Sequence, residues 1–247
     1  MFPEENFVAN GNPVAPKPAI LCLHGGGTNS MIFNIQTIRI QRVLDPYFEF
    51  VFLDGPLHGE PGPGVIPVFE GLEPYRRWHV KGSEGKPALT NALLQSFMEE
   101  QRRKDGRGFV GALGFSQGAR TVAGLLLEQQ LKQRKEGADW GGEGLSFGVM
   151  LNGTTPPLTA NLTDGEKMER ISVPSLHVVG RDDPWREDGL ELHGKHFDQE
   201  TATLVEFAVG HRLPILEEDT AKITNEILRM YRESEGGKQT DLFALVE

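Results

Sequence analysis

The most informative part of this 247-residue chain reads Phe109-Val110-Gly111-Ala112-Leu113-Gly114-Phe115-Ser116-Gln117-Gly118. It opens with a nearly continuous apolar run, which is typical of a strand covered on both faces. A helical pattern of apolar residues follows over 117–135. Between the two lies Gly-x-Ser-x-Gly, whose glycines let the chain turn sharply and leave Ser116 at the tip. The pattern predicts a nucleophilic serine between a strand and a helix, and a plain tight turn is the alternative.

The same alternation of apolar runs and helical patterns extends over most of the chain. Further strands are predicted at 19–24, 48–53, 147–152, 175–179 and 203–209. Further helices are predicted at 31–44, 86–104, 185–200 and 215–234. This order predicts an α/β fold with a mostly parallel six-stranded core sheet, and right-handed crossovers place helices on both faces.

The length allows one large or two small domains, and we interpret residues 1–247 as a single α/β domain. Residues 1–17 are predicted to be an irregular lead-in and 235–247 a tail. Two insertions, 54–85 and 153–170, follow predicted strands, where open α/β sheets bind ligands. We call residues 54–85 the cap loop, because this length and aromatic content indicate a folded cover over a substrate site.

Charge and cysteine content exclude several classes of function. Twenty-five basic and 35 acidic side chains give a formal net charge of −10, which argues against binding nucleic acid or an anionic membrane. The single cysteine, Cys22, permits neither an internal disulfide nor a cysteine-based zinc site. The chain shows no secretory signal pattern and no long apolar run, so we expect a cytoplasmic protein that does not span a membrane.

A glycine-rich turn follows the first predicted strand. It reads His24-Gly25-Gly26-Gly27, the type of turn that supplies a backbone N–H to an oxyanion hole. We predict that the N–H groups of Gly26 and Gln117 are the two donors. His24 itself is predicted to be a structural hydrogen-bonding residue.

An acid and a base follow the last two predicted strands. Asp183 in Gly-Arg-Asp-Asp is the preferred acid, and its neighbour Asp182 is the alternative. His211 is predicted to take the proton of Ser116 while the acid orients the imidazole. The chain order Ser116, Asp183, His211 is that of α/β-hydrolases.

These motifs, with others in the cap loop, resemble one known family. They are Leu23-His24-Gly25-Gly26-Gly27, Gly62-Pro63-Gly64-Val65-Ile66-Pro67, Phe69-Glu70-Gly71-Leu72-Glu73-Pro74-Tyr75, Trp78, Gly114-Phe115-Ser116, Gly180-Arg181-Asp182-Asp183 and Gly210-His211. The chain resembles the fungal family of small serine hydrolases that includes the polyketide-releasing thioesterase of the lovastatin pathway. The resemblance implies an α/β-hydrolase fold and ester or thioester hydrolysis, often the release or editing of an acyl chain on a polyketide synthase.

We therefore predict a serine hydrolase that works through an acyl-enzyme and requires no cofactor or metal. An apolar acyl pocket is predicted to be lined by Phe33, Phe69, Tyr75 and Trp78. His58 and His79 are further candidates for substrate contact. A general carboxylesterase for small esters and an acyltransferase with the same triad remain as alternatives.

The carrier domain of a polyketide synthase is the predicted protein partner. Carrier domains are usually acidic, as this chain is, so docking would need a local basic patch. Arg76, Arg77 and Lys81 beside the cap loop are the candidates.

Overall fold

A computed structural model of the chain describes residues 17–80, 87–106, 108–136, 144–160 and 162–234, so the predicted tail and residues 1–16 of the lead-in lie outside it. The strands are β1 (Ala19–Leu23), β2 (Glu49–Leu53), β3 (Leu57–His58), β4 (Arg76–Arg77), β5 (Phe109–Phe115), β6 (Phe147–Leu151), β7 (Ser175–Gly180) and β8 (Ala202–Phe207). The helices are α1 (Ser30–Gln36), α2 (Ile38–Leu44), α3 (Pro87–Asp105), α4 (Gln117–Glu136), α5 (Asp164–Lys167), α6 (Arg186–His196) and α7 (Glu217–Glu233). None of the helices in these residues is long and apolar enough to cross a membrane.

Six strands form one sheet in the order β2-β1-β5-β6-β7-β8, and every neighbouring pair is parallel. The predicted six-stranded parallel sheet is thereby confirmed. Because the carboxyl ends of parallel strands share one edge, the loops after β1, β5, β6, β7 and β8 converge there. The four predicted motifs follow four of these five neighbouring strands.

Two buried apolar clusters cover the two faces of the sheet. Ile20 and Cys22 of β1 belong to a cluster with side chains of α1, α2 and α7. Leu21 and Leu23 belong to a cluster with side chains of α3, α4 and α6. Alternate side chains of a strand point to opposite faces. The helices therefore cover both faces, as predicted.

The predicted helix over 31–44 is two helices in the structure. Thr37 ends α1 and precedes α2, and its hydroxyl donates to the carbonyl oxygen of Phe33 at 2.8 Å. A threonine that bonds back to the preceding turn in this way often bends or interrupts a helix. Apolar residues continue at helical spacing on both sides of Thr37, so the sequence pattern predicted one uninterrupted helix.

Two other boundaries lie earlier than predicted. β8 ends at Phe207 rather than residue 209, because its partner β7 ends at Gly180. α6 ends before residue 200, since Phe197 takes an extended backbone and bridges to Ile171. In both places pairing with a neighbouring segment decides where the element stops.

The cap loop folds back on itself through a short antiparallel ribbon of β3 and β4, which the sequence pattern did not predict. The N–H of Gly27 donates to the carbonyl of Arg76 at 2.8 Å, and the N–H of Arg76 donates to the carbonyl of Thr28 at 2.6 Å. These bonds fix the base of the cap loop to the glycine-rich turn after β1.

Candidate active site

Ser116 lies at the turn between β5 and α4, with a φ of 52° that side chains rarely adopt. Its N–H donates to the carbonyl of Leu151 at 2.9 Å, which ties the turn to the end of β6. Gly118 has no room for a side chain, because a Cβ there would lie 2.0 Å from the carbonyl oxygen of Leu23. The motif therefore lets α4 approach the sheet closely while a strained turn presents the serine.

Two further side chains form a hydrogen-bonded series with Ser116. His211 Nε2 lies 3.0 Å from Ser116 Oγ, and His211 Nδ1 lies 2.7 Å from Asp183 Oδ2. The Asp183 side chain is 2% exposed and that of His211 is 16% exposed. Asp182, the alternative acid, is exposed and has no hydrogen bond to His211 among the described residues. The geometry thus singles out Asp183, and it suits proton transfer from the serine to an oriented imidazole.

Neighbouring groups hold the acid and the imidazole in place. Asp183 Oδ1 accepts the N–H of Trp185 at 2.8 Å, so both carboxylate oxygens are engaged. The rings of Trp185 and Phe115 lie 4.6 and 4.9 Å from the imidazole ring of His211. Packing against two aromatic rings restricts how the imidazole can tilt away from Ser116.

Asn152 connects the loops that carry the acid and the imidazole, and sequence reasoning missed it. It lies just after β6, 3% exposed, with a φ of 45°. Its Oδ1 accepts the N–H of Gly180 at 2.9 Å, and its Nδ2 donates to the carbonyls of Arg212 and Gly210 at 3.0 and 3.4 Å. These two carbonyls flank His211. A polar residue at the carboxyl end of a central strand was the signal available in the sequence.

The predicted oxyanion-hole residues, Gly26 and Gln117, lie in direct contact with each other. A Cβ at Gly26 would lie 2.5 Å from the side-chain carbon Cδ of Gln117. Gln117 is the first residue of α4, so its N–H has no acceptor within the helix. Neither N–H donates to another backbone carbonyl among the described residues. Both groups are therefore available to a substrate oxygen, and their role stays a prediction.

His24 has the structural role that the sequence predicted. Its Nε2 accepts the N–H of Gly55 at 2.9 Å, and its Nδ1 lies 2.7 Å from the carbonyl of Gly25. Because Nε2 accepts, the proton resides on Nδ1 and the ring is neutral. Burial lowers the pKa of His24 to about 4. The ring therefore stays uncharged at neutral pH and holds the glycine-rich turn against the cap loop.

A cavity of about 930 Å³ opens over Ser116 and His211. One part of its wall is apolar and comes from α1, α2, the cap loop and the loop before α7: Ile35, Ile38, Val65, Val68, Phe69, Leu213 and Ile215. Another part is polar and comes from the end of the cap loop, α4, the loop after β6 and α6: Arg77, His79, Arg120, Thr155 and Asp188. Exposed Arg39 and Arg212 also line it. The volume and the apolar wall suit an acyl group.

Of the four predicted acyl-pocket residues, only Phe69 lines this cavity. Phe33 is fully buried in the core with α2 and α7, where it contacts Phe52 and Phe115. Tyr75 is 6% exposed and donates its hydroxyl to the carbonyl of Phe69, inside the cap loop. The prediction that Phe33 and Tyr75 line the pocket is therefore wrong, because packing within the core and the cap takes up both rings.

Trp78 also lies away from the cavity. It is fully buried, its Nε1 donates to the carbonyl of His24 at 2.7 Å, and its ring lies 5.0 Å from that imidazole. Its N–H lies 3.3 Å from the side-chain oxygen of Gln117. The prediction that Trp78 lines the pocket is corrected: it anchors the cap loop to β1 and α4.

The remaining cap-loop candidates separate into two groups. His79 and Arg77 line the cavity, whereas His58 and Arg76 contact each other outside it at 3.1 Å. Lys81 lies outside the described residues. The three basic residues predicted as a carrier-docking patch therefore do not form one described surface.

Comparisons with known proteins give the family of this chain. Residues 14–223 match the family model described as Serine hydrolase (FSH1). The probable esterase tazC of Aspergillus terreus is 34% identical, with 90% of this chain and 96% of the relative covered. The thioesterase FSL2 of Gibberella zeae is 32% identical, with 85% of this chain and 91% of the relative covered.

The carboxylesterase of Bacillus cereus shares the fold at a TM-score of 0.57 and 17% identity, covering 87% of this chain and 89% of that one. At this identity the likeness concerns the α/β-hydrolase fold alone. The family match, by contrast, spans most of the chain and includes the loops that carry Ser116, Asp183 and His211. The chain belongs to the FSH1 serine hydrolase family, and it is an esterase-type hydrolase.

Proposed function

We propose that this enzyme hydrolyses an ester or thioester with Ser116 as nucleophile, His211 as general base and Asp183 as the orienting acid. One observation carries the proposal. The series Asp183–His211–Ser116 is linked by contacts of 2.7 and 3.0 Å and ends at the floor of a cavity with an apolar wall. The wider resemblance of the sequence motifs supports the same reaction class.

In the acylation step, Ser116 Oγ attacks the acyl carbonyl carbon and its proton passes to His211 Nε2. The carbonyl oxygen becomes an oxyanion, which the N–H groups of Gly26 and Gln117 stabilise. The buried carboxylate of Asp183 stabilises the imidazolium that forms. When the tetrahedral intermediate collapses, the alcohol or thiol leaves with the proton from His211, and the acyl group remains on Ser116.

In the deacylation step, a water molecule attacks the acyl-enzyme. His211 removes a proton from this water, and the second tetrahedral intermediate uses the same two N–H donors. Its collapse breaks the bond between Ser116 Oγ and the acyl carbon and returns the proton to the serine. A carboxylic acid leaves, and no cofactor enters this sequence of steps.

The finer proposal is that the acyl group is a polyketide or related chain released from a carrier domain. The apolar wall formed by α1, α2 and the cap loop supports an acyl chain, and the cap-loop motifs resemble those of polyketide-releasing thioesterases. The thioesterase FSL2 and the esterase tazC are relatives over most of the chain. A cytoplasmic location and a carrier-domain partner stay predictions.

A fluorophosphonate probe tests the nucleophile. Wild-type protein should be labelled at Ser116, and Ser116→Ala should lose both labelling and about 10⁴- to 10⁶-fold of the hydrolysis rate. Asp183→Asn should lose most of the rate while remaining folded, and Asp182→Asn is its matched control one residue away. Equal labelling of Ser116→Ala, or a larger loss in Asp182→Asn than in Asp183→Asn, would contradict the assignment.

The products distinguish hydrolysis from acyl transfer. With a thioester substrate in buffer that contains competing amines and alcohols, we expect the free acid as the main product. A dominant amide or ester product would instead identify an acyltransferase that uses the same three residues.

A further inference from the structure

The cavity over Ser116 has one apolar wall and one polar wall. The two walls come from elements on opposite faces of the sheet. Much of the apolar wall, including Ile35, Ile38 and Ile215, comes from α1, α2 and the loop before α7, which belong to one face. The polar wall includes cationic Arg120 of α4 and His79 before α3, which belong to the other face. A substrate that spans the cavity therefore meets mainly apolar side chains, with exposed Arg39 and Arg212 beside them, on one side of Ser116 and the half-buried charge of Arg120 on the other.

Arg120 and His79 form a hydrogen-bonded pair in this polar wall. Arg120 is the fourth residue of α4, and its backbone N–H donates to the carbonyl of Ser116 at 3.3 Å. Its Nε donates to the carbonyl of Pro156 at 2.8 Å, and its Nη1 lies 3.0 Å from Nε2 of His79. A guanidinium can only donate, so Nε2 of His79 accepts and the neutral ring carries its proton on Nδ1. Burial, reinforced by the positive charges of Arg120 and Arg77, lowers the pKa of His79 to about 4.

Two donors in this wall have no partner in the part of the chain that the structure describes, although Nη2 of Arg77 donates to the carbonyl of Glu60 at 3.1 Å. Nε of Arg77 and the hydroxyl of Thr155 are buried without a hydrogen bond among the described residues. No salt bridge joins Arg77 or Arg120 to a carboxylate within the described part of the chain. Asp188 lines the same cavity, and burial lowers the pKa of Arg120 although the negative charge of Asp188 acts in the opposite direction. Buried donors and half-buried charges are normally satisfied, so this group fits a missing acceptor.

We propose that Arg77, His79, Arg120 and Thr155 form a subsite for an anionic group of the substrate, a phosphate or a carboxylate. We call these four residues the anion subsite. The proposal rests on the proposed hydrolase function and adds to it the polarity of the substrate. The group could be the phosphate of a phosphopantetheine leaving group or a carboxylate at the far end of the acyl chain. In either case the apolar part of the substrate lies against the wall formed by α1 and α2.

Three thioesters of equal acyl length distinguish a phosphate on the leaving group from a carboxylate on the acyl chain. Octanoyl pantetheine is the neutral reference, octanoyl phosphopantetheine adds a phosphate to the leaving group, and the suberyl monothioester of pantetheine adds a carboxylate to the acyl end. Wild-type kcat/KM should favour one charged thioester over the neutral one by about 10- to 100-fold, as charge-assisted hydrogen bonds to one anion imply. The favoured thioester identifies the source.

The variants Arg120→Gln, Arg77→Gln and Thr155→Val test the four-residue assignment from three separate elements. Arg120→Gln and Arg77→Gln should each remove most of the preference, which is measured within each variant as the ratio of kcat/KM for the charged thioester to kcat/KM for the neutral one. Arg42→Gln removes one positive charge from an exposed part of α2 outside the cavity and should keep the full preference. Equal turnover of all three thioesters by wild type, or an equal loss in Arg42→Gln, would overturn the proposal.

Binding without turnover keeps this test separate from the proposed function. Calorimetry on Ser116→Ala should show phosphopantetheine binding about tenfold more tightly than pantetheine, or suberate more tightly than octanoate, and Arg120→Gln should abolish the difference. If binding shows this pattern but no thioester is hydrolysed, the proposed function fails and the subsite stands. If thioesters are hydrolysed but no anion preference appears in binding or in kcat/KM, the subsite fails alone.

Discussion

Replacing Asn152 should slow catalysis although its side chain touches neither Ser116 nor the cavity. The side chain accepts the N–H of Gly180, in the strand that leads to Asp183, and donates to the carbonyls on both sides of His211. Asn152→Gly removes all three contacts and keeps a residue that tolerates the φ of 45°. The variant therefore releases the acid loop and the imidazole loop from each other without adding backbone strain.

The expected loss of stability follows from these contacts. Two short hydrogen bonds, at 2.9 and 3.0 Å, contribute about 1 kcal/mol each. Leaving the buried N–H of Gly180 unpaired adds about 1 kcal/mol more. Asn152→Gly should thus lower the free energy of unfolding by about 3 kcal/mol. Asn152→Ala should lose about 1–2 kcal/mol beyond that, because the left-handed backbone conformation is strained for alanine.

We expect Asn152→Gly to slow catalysis strongly, because it loosens the loops that hold Asp183 and His211. A displacement of a catalytic group by about 1 Å can cost about 100-fold. We expect kcat for a p-nitrophenyl ester, and the rate of fluorophosphonate labelling, to fall about 10- to 100-fold in Asn152→Gly, with little change in KM. Asn152→Asp keeps the acceptor for Gly180 and loses both donors, so it reports on the His211 loop separately.

A stability control decides whether Asn152 acts on catalysis. Ile227→Ala in α7 removes a fully buried side chain from the core away from the cavity and should cost about 2–5 kcal/mol. It should leave kcat unchanged at a temperature where the protein is folded. The reasoning is refuted if Asn152→Gly loses about as much stability as this control and keeps wild-type kcat and labelling rate.

Three further predictions concern the surroundings of the site. Trp78→Ala should lower the free energy of unfolding by about 3–5 kcal/mol and slow short and long acyl esters alike; a loss confined to long chains would restore Trp78 to the acyl pocket. Gly118→Ala should prevent correct folding of the serine turn, since its Cβ would lie 2.0 Å from a backbone oxygen; soluble, fully labelled protein would contradict this. The unfolded chain protonates His24 below pH 6.5 and the folded one only near 4, so stability should fall as pH drops through this window, by up to about 1.4 kcal/mol per unit for this group. Chemical denaturation across that range should show a shallower slope in His24→Gln, and an unchanged slope would count against a neutral buried His24.

The sheet was predictable from sequence because its strands are continuous apolar runs separated by helical patterns. The site residues next to these strands were predictable for the same reason: in a parallel sheet, motifs after neighbouring strands must meet at one edge. Ser116, Asp183 and His211 therefore meet in the structure, although they are separated by up to 95 positions in the sequence. Of the two candidate acids, Asp183 contacts His211 and Asp182 does not, among the described residues.

What the sequence could not predict depends on which partner each side chain meets. An aromatic ring in a long loop can line a pocket or anchor the loop, and composition does not separate the two cases. Trp78 is an anchor because its Nε1 finds the carbonyl of His24, 54 residues earlier in the chain. Asn152 binds carbonyls 58 and 60 residues later, and Arg120 meets His79 across 41 residues.

The positive charge of the cavity was also not predictable from the sequence, because it depends on which side chains meet in the fold. The chain carries a net charge of −10, and that sum argues against anionic ligands. Fields inside a cavity depend on the charges that line it, and partly buried groups are screened less than exposed ones. Around Ser116 the arginines outnumber the carboxylates, and Arg77 and Arg120 lie half-buried there. An acidic protein can therefore select an anionic substrate, because arginines rather than carboxylates predominate in the lining of this cavity.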